Sequence, residues 1–184
     1  SLTTLKFMEF FKPLPKGLMQ VVTGGARVGQ RLIASSGTHG VAYTGSVAVG
    51  QAVARTCAES FKPCLIEASG NDPFIVTPSA PLDRAVRGAA FATHLNCVQV
   101  CTSAERFYVH RDVYDDYLQA FKDFTEGLAI GDPMQPDTDI GPMVSATQRQ
   151  KVADQVEAAV GAGAEVVTGG GNGGQEKGHF FAPA

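Results

Sequence analysis

Two residue types in this chain could do covalent and acid–base chemistry together. A thiol and a carboxylate stand 34 positions apart, at Cys101 and Glu67. The segment His94-Leu95-Asn96-Cys97-Val98-Gln99-Val100-Cys101 offers two sulfur atoms. An ordinary thiol has a pKa of about 8.5, so only a few per cent is nucleophilic thiolate near neutrality. A nucleophile therefore needs exposure, a helix start or a positive neighbour. Cys101 falls between a helical pattern and a strand pattern, where such exposure is available, but periodicity alone does not choose between Cys97 and Cys101. Cys57 and Cys64 carry no comparable context and read as structural thiols. A metal site would need further ligands at suitable spacing, and His39, His110 and His179 are scattered, so no metal is expected.

Glu67 closes the apolar run Cys64-Leu65-Ile66 and precedes Ala68-Ser69-Gly70-Asn71-Asp72-Pro73. Burial at a strand end would raise a carboxyl pKa and suit it to general-base work. On pattern alone, a solvated strand-end residue fits as well. A third candidate is Tyr43-Thr44-Gly45-Ser46-Val47-Ala48-Val49-Gly50, between a strand and a helix. Free N–H groups at a helix start, with the helix dipole, favour a phosphate. Taken alone, the segment reads first as a tight turn with Ser46 as N-cap. Gly24, Gly25 and Gly29 mark a second turn of that kind.

The elements that must position these groups alternate. Apolar spacing expects a helix over 1–12, a buried strand at Met19–Val22, a helix near 27–35, a strand at Gly40–Thr44 and a helix at Ser46–Ala58. Strands follow at Pro63–Glu67 and Phe74–Thr77. A helix over about 81–96 has Ser79 as N-cap and Leu82, Val86, Ala89 and Ala90 on one face. Arg106–Val109 reads as a strand and 112–127 as a helix. Ser145 and Gln148 form a capping-box pattern opening a helix to about 161, with Val152, Val156, Ala159 and Val160 inward. Glu165–Thr168 is a further strand candidate, before a glycine-rich loop. Strands alternating with helices imply an α/β fold with parallel sheets and flanking helices.

Composition narrows the classes. With 15 basic and 18 acidic residues, scattered, no basic stripe points to nucleic acid. No run of 18 apolar residues suggests a membrane span. The N-terminal stretch lacks the features of a secretory signal, and four cysteines in 184 residues do not make a disulfide scaffold. A cytoplasmic location with reduced thiols is expected.

Together these pieces resemble the aldehyde dehydrogenase superfamily. The resemblance rests on Leu14–Gly24, on Tyr43-Thr44-Gly45-Ser46 with Gly50, and on Ile66-Glu67-Ala68-Ser69-Gly70-Asn71-Asp72-Pro73. It continues through Gln99-Val100-Cys101, Gly131-Asp132-Pro133, Asp139–Met143 and Gly178–Pro183, in that order. It implies part of the cofactor domain, residues 1–67, joined to part of the catalytic thiol domain, residues 68–184, as an internal piece of a longer chain. It implies Cys101 as nucleophile and Glu67 as general base. Gly45, Ser46, Val49 and Gly50 would lie around the pyrophosphate of NAD or NADP, with Gly25 and Gly29 near the adenine. A small-molecule aldehyde as substrate and a homo-oligomer are implied too, with no nucleic acid and no membrane as partners. Val98 departs from the pattern, because the family usually has glycine there, and a β-branched residue disfavours positive φ. Two other readings stand beside this one: a binding module without turnover, and a cofactor-free thiol esterase.

Overall fold

The computed structural model describes residues 2–184. The chain divides into two compact units, one ending at Ser69 and the other starting at Gly70. Each is built on one strand–helix–strand crossover.

In the first unit, helix α1 (Leu2–Phe7) runs into a 3₁₀ turn at Met8–Phe11, where a single helix over 1–12 was expected. Helix α2 (Ala26–Ala34) follows, then strand β1 (Val41–Gly45), helix α3 (Val47–Ala58) and strand β2 (Cys64–Ala68). β1 and β2 pair in parallel, with Thr44 opposite Glu67 and Gly45 opposite Ala68. α3 packs on this ladder through Gly50, Val53 and Cys57, its buried residues. A Cβ on Gly50 would stand 2.9 Å from Ile66 Cγ2, so glycine permits the close approach of helix and strand. Lys62 closes the far end by donating from Nζ to the carbonyls of Ile33 and Ser35, at 2.6 and 2.7 Å. A cation on the last carbonyls of α2 also complements the helix dipole.

The strand expected at Met19–Val22 is not formed, and Met19 and Val22 are exposed. A strand exists only as part of a ladder, and this segment finds no neighbouring strand among the described residues. Glu165–Thr168 fails for the same reason.

In the second unit, strand β3 (Asp72–Val76), helix α4 (Leu82–His94) and strand β4 (Ala104–Val109) form the crossover. Helices α5 (Tyr114–Glu126) and α6 (Ala146–Gly161) follow. β3 and β4 are parallel, as the alternating pattern implied, with Ile75 opposite Tyr108. Strand alternation sends Phe74, Val76, Phe107 and Val109 toward α4 and α5, where they join Val86, Ala89 and Tyr117. The ring centroids of Phe74, Phe107, Phe121 and Tyr117 follow one another at 5.5, 5.6 and 5.8 Å. Such pairs add about 0.5–1.5 kcal/mol each beyond the apolar area they bury. Ile75 and Tyr108, on the opposite face, are 68% and 54% exposed, so this sheet is covered on one side only.

Ser79 does not cap α4. Pro81 holds the N-cap position and makes no side-chain bond. Leu82 is 39% exposed, outside the expected inward face, while Val86, Ala89 and Ala90 are buried. The capping box at α6 is half present: the Gln148 N–H donates to Ser145 Oγ at 3.2 Å. On α6, Val152 and Val156 are half-buried, whereas Ala159 and Val160 are exposed.

Tyr117 is 3% exposed and its hydroxyl is buried without a hydrogen-bond partner, with burial pushing the phenol up to about 12. An unsatisfied buried hydroxyl costs about 1–3 kcal/mol. Tyr117→Phe should therefore stabilise the second unit by on the order of 1 kcal/mol, seen as a higher urea midpoint; a lower midpoint would contradict the account. His94 donates to or accepts from Thr125 Oγ1 at 3.1 Å and stacks on Phe121, and burial holds its pKa below the usual 6.5. The unfolded chain thus takes up this proton more readily. Stability should be level above pH 6.5 and decline as the pH falls below it. Chemical denaturation across that range should show the decline, and His94→Gln should flatten it.

Candidate active site

Glu67 belongs to the first unit and Cys101 to the second. The glutamate sits one residue before the C-terminal end of β2, paired with Thr44 of β1. The next ladder step brings Gly45 beside Ala68. The carboxylate and the Gly45–Ser46 turn therefore share one end of a parallel sheet, where α/β folds present ligands. Glu67 is exposed, so the environment is that of a solvated strand end and not the desolvated one considered from the sequence.

Ser46 occupies the N-cap position of α3, but its side chain makes no capping bond. The N–H groups of Val47, Ala48 and Val49 have no acceptor among the described residues. Gly50 N–H is the first to bond, to Ser46 O at 2.9 Å. Tyr43 Oη donates to the Ser46 carbonyl at 3.3 Å, fixing the turn from below. A Cβ on Gly45 would run into the outer end of the Tyr43 ring, so a larger residue would displace the tyrosine. In the other turn, Gly25 is the N-cap of α2, and a Cβ on Gly25 or Gly29 would meet nothing within 4 Å. These features fit an anionic dinucleotide: three free donors at a helix start, a glycine that admits close approach, and an open glycine face on the adjoining helix.

In the second unit, α4 ends at His94 and passes into a 3₁₀ turn at Leu95–Val98. Three consecutive residues adopt left-handed backbone: Asn96 at φ 52°, Cys97 at 56° and Val98 at 63°. Asparagine tolerates this region, but a β-branched valine does not, at about 1–2 kcal/mol. The sequence singled out Val98 as ill-suited to positive φ, and the backbone adopts it nonetheless.

Hydrogen bonds hold the strained loop. The Gln99 N–H donates to Asn96 O at 3.1 Å, Gln99 Nε2 donates to the same carbonyl at 3.1 Å, and Asn96 Nδ2 returns a bond to Gln99 O at 3.2 Å. Gln99 Oε1 then accepts from Val144 N–H at 3.0 Å. Cys97 Sγ donates to Gly141 O at 3.1 Å, and burial pushes its thiol up. Beyond the loop, buried Ser103 donates to the carbonyl of Ala92, at 3.2 Å, at the end of α4.

The structure thus separates the two sulfur atoms that periodicity could not. Cys97 is half-buried and hydrogen-bonded, whereas Cys101 is exposed and neither its thiol nor its N–H has a partner among the described residues. A Cβ on Gly70 would stand 2.7 Å from Cys101 O, so only glycine lets the backbone run that close to the thiol loop. Sequence reasoning missed the roles of Gln99, Ser103, Gly70 and Tyr43. Gln99 and Gly70 stood inside noted motifs, but nothing local announced their partners. No group of three or more His, Cys, Asp or Glu side chains that could hold a metal occurs among the described residues.

Parallel strand–helix–strand units, one with an uncapped helix start and one with an accessible thiol after a strained loop, define an α/β protein. The model of the aldehyde dehydrogenase family matches residues 1–184, and the chain belongs to that family. It is 39% identical over 156 residues to a succinate-semialdehyde dehydrogenase [NADP(+)] of Mycobacterium avium, covering 85% of this chain and 33% of that protein. To a betaine aldehyde dehydrogenase of Vibrio vulnificus it is 38% identical over 187 residues, covering 99% and 38%. The crystal structure of an NAD-dependent aldehyde dehydrogenase from Sinorhizobium meliloti is similar at a TM-score of 0.94 and 35% identity, over 100% of this chain and 37% of that one. The chain spans about a third of the length of the curated relatives it matches.

Val98→Asn should stabilise the second unit by about 1 kcal/mol, since asparagine enters the left-handed region more easily and Val98 is 40% exposed. The unfolding midpoint measures this, and a drop would show that the loop does not carry the strain.

Proposed function

We propose that this chain is the part of an NAD(P)-dependent aldehyde dehydrogenase that carries the nucleophile, the general base and the pyrophosphate turn, and that the enzyme oxidises an aldehyde to a carboxylic acid. Residues 1–67 are assigned to the cofactor domain and 68–184 to the catalytic domain. The observation that carries the reading is the contrast at the thiol loop: Cys101 is exposed and unbonded while Cys97 is tied to Gly141. NAD or NADP as cofactor is supported by the open helix start at Ser46 and by relatives named for each dinucleotide.

The residues act in sequence. Cys101 Sγ, as thiolate, attacks the aldehyde carbon and forms a C–S bond, and the carbonyl oxygen becomes an oxyanion. The Cys101 N–H, which has no acceptor among the described residues, donates to that oxygen. The α3 N–H groups and Ser46 bind the pyrophosphate, and Gly25 and Gly29 leave room along α2 for the adenine side. The bound nicotinamide supplies the hydride acceptor. Loss of hydride from the tetrahedral carbon leaves a thioester on Cys101. Glu67 then takes a proton from a water molecule, whose oxygen attacks the thioester carbonyl. The C–S bond breaks, the proton held by Glu67 passes to the departing Cys101 sulfur, and the carboxylic acid leaves.

In the protein carrying this segment, Cys101→Ala should abolish aldehyde-dependent formation of reduced nicotinamide cofactor. Glu67→Gln should keep a first-turnover burst and slow the steady state by roughly 10²–10⁴-fold, since loss of general-base assistance falls on thioester hydrolysis. Full turnover in the Cys101→Ala variant would reject the nucleophile. Cofactor binding without any turnover in the parent would reject catalysis in favour of a binding module.

A further inference from the structure

The glycine-rich tract of the second unit carries a reactive pair that the proposed function leaves unused. The chain has three asparagines, Asn71, Asn96 and Asn172, and only Asn172 is followed by glycine. Asn172 is exposed. Its Oδ1 accepts from the Gly174 N–H at 3.2 Å, and its Nδ2 donates to the Gln175 carbonyl at 3.2 Å. The Gln175 N–H closes the turn on Asn172 O at 3.3 Å. The side chain is therefore curled along its own backbone, past the Gly173 nitrogen. The N–H of Gly173 has no acceptor among the described residues. Gly173 and Gly174 are left-handed, at φ 63° and 76°. A Cβ on Gly173 would stand 2.9 Å from Ile130 Cδ1. The fold thus favours glycine directly after Asn172.

We propose that Asn172 is a modification site, at which the Gly173 nitrogen displaces the side-chain amide and converts the residue to aspartate and isoaspartate in the native protein. Hydroxide removes the Gly173 amide proton, and the nitrogen attacks Asn172 Cγ. An N–C bond forms, and Oδ1 becomes an oxyanion. The carbonyl then re-forms as the Cγ–Nδ2 bond breaks. The amide leaves as ammonia after taking a proton from water, which restores the hydroxide, and a succinimide ring remains. Water opens this ring at either carbonyl, leaving a carboxylate and releasing its proton. Nothing is oxidised or reduced, and water and hydroxide are the only other reactants.

The turn supplies what this step needs. Nucleophile and carbonyl belong to one dipeptide, so ring closure replaces a bimolecular encounter. The Gly174 N–H already donates to the oxygen on which negative charge develops. No Cβ on Gly173 crowds the attacking nitrogen, whereas Asp72 and Cys97 place a side chain there after Asn71 and Asn96. The product exchanges a neutral amide for a carboxylate and loses the Nδ2 bond to Gln175 O. Gln175 Nε2 is bonded in turn to Ile130 O at 2.9 Å, so the change falls beside an anchor of the glycine-rich tract.

The native protein is held in mildly alkaline buffer and sampled over days for ammonia release and by peptide mapping, with isoaspartate read by enzymatic methylation of its carboxylate. Conversion is expected at Asn172 alone, as a mixture of aspartate and isoaspartate, at a rate no lower than in the urea-unfolded chain, while circular dichroism stays native. Asn172→Gln should suppress the release, because the longer side chain would have to close a six-membered ring. Gly173→Ala, where circular dichroism confirms the fold, should slow conversion severalfold. Slower conversion in the native than in the unfolded chain would overturn the proposal. So would aspartate without isoaspartate, since direct hydrolysis by water bypasses the ring.

Discussion

A backbone that stays left-handed through Asn96, Cys97 and Val98 is the constraint on which the thiol loop depends. Left-handed residues ordinarily occur singly, because each brings Cβ close to the following carbonyl oxygen. Three in succession persist only where surrounding bonds overdetermine them. Here Gln99 supplies much of that determination, bonding back to Asn96 and across to Val144, while Cys97 fastens to Gly141. The same bonds explain the division of labour between the two sulfur atoms. Cys97 is drawn in toward Gly141, while Cys101 is left exposed. Ser103 then reattaches the segment to the end of α4, so the exposed thiol sits between two anchored points.

The first unit achieves its arrangement by register. A parallel ladder in which Thr44 meets Glu67 and Gly45 meets Ala68 brings a carboxylate and a helix start to one end of the sheet. A shift by one residue would turn Glu67 to the other face. Gly50, held against Ile66, sets how closely α3 lies on the ladder, and so where its free N–H groups point. Glu67 remains exposed in this setting, which leaves its side chain in contact with water.

Much of this was legible in the sequence, for identifiable reasons. The two crossovers were visible because α3 and α4 carry helical periodicity between short apolar runs, and β1, β2, β3 and β4 formed close to where those runs lie. The motifs around Gly45, Glu67 and Cys101 were visible because their residue types and order match one family. Met19–Val22 and Glu165–Thr168 misled because apolar alternation records a tendency to pair and says nothing of whether a partner strand is present. Ser79 misled in another way, since cap preference is statistical and Pro81 holds the N-cap position of α4, whereas Ser46 does stand at the N-cap of α3, without a side-chain bond. The choice between Cys97 and Cys101 was out of reach because it is made by the carbonyl of Gly141, 44 residues downstream. Val98 is the reverse case: the sequence exposed a local conflict, and the structure shows the fold overriding it.

The pairing of β3 with β4 across α4 has a consequence for how the chain comes into being. Its contacts, and those α4 makes with α5, join residues within one stretch from Asp72 to Glu126. Contacts of short sequence separation form early, and chains leave the ribosome from the N-terminal end. The aromatic core of Phe74, Phe107, Tyr117 and Phe121 can therefore condense while α6 and the glycine-rich tract are still being synthesised. The later-emerging Gly141 and Val144 would dock onto a framework already in place, so the thiol loop would acquire its final shape only after its support has assembled.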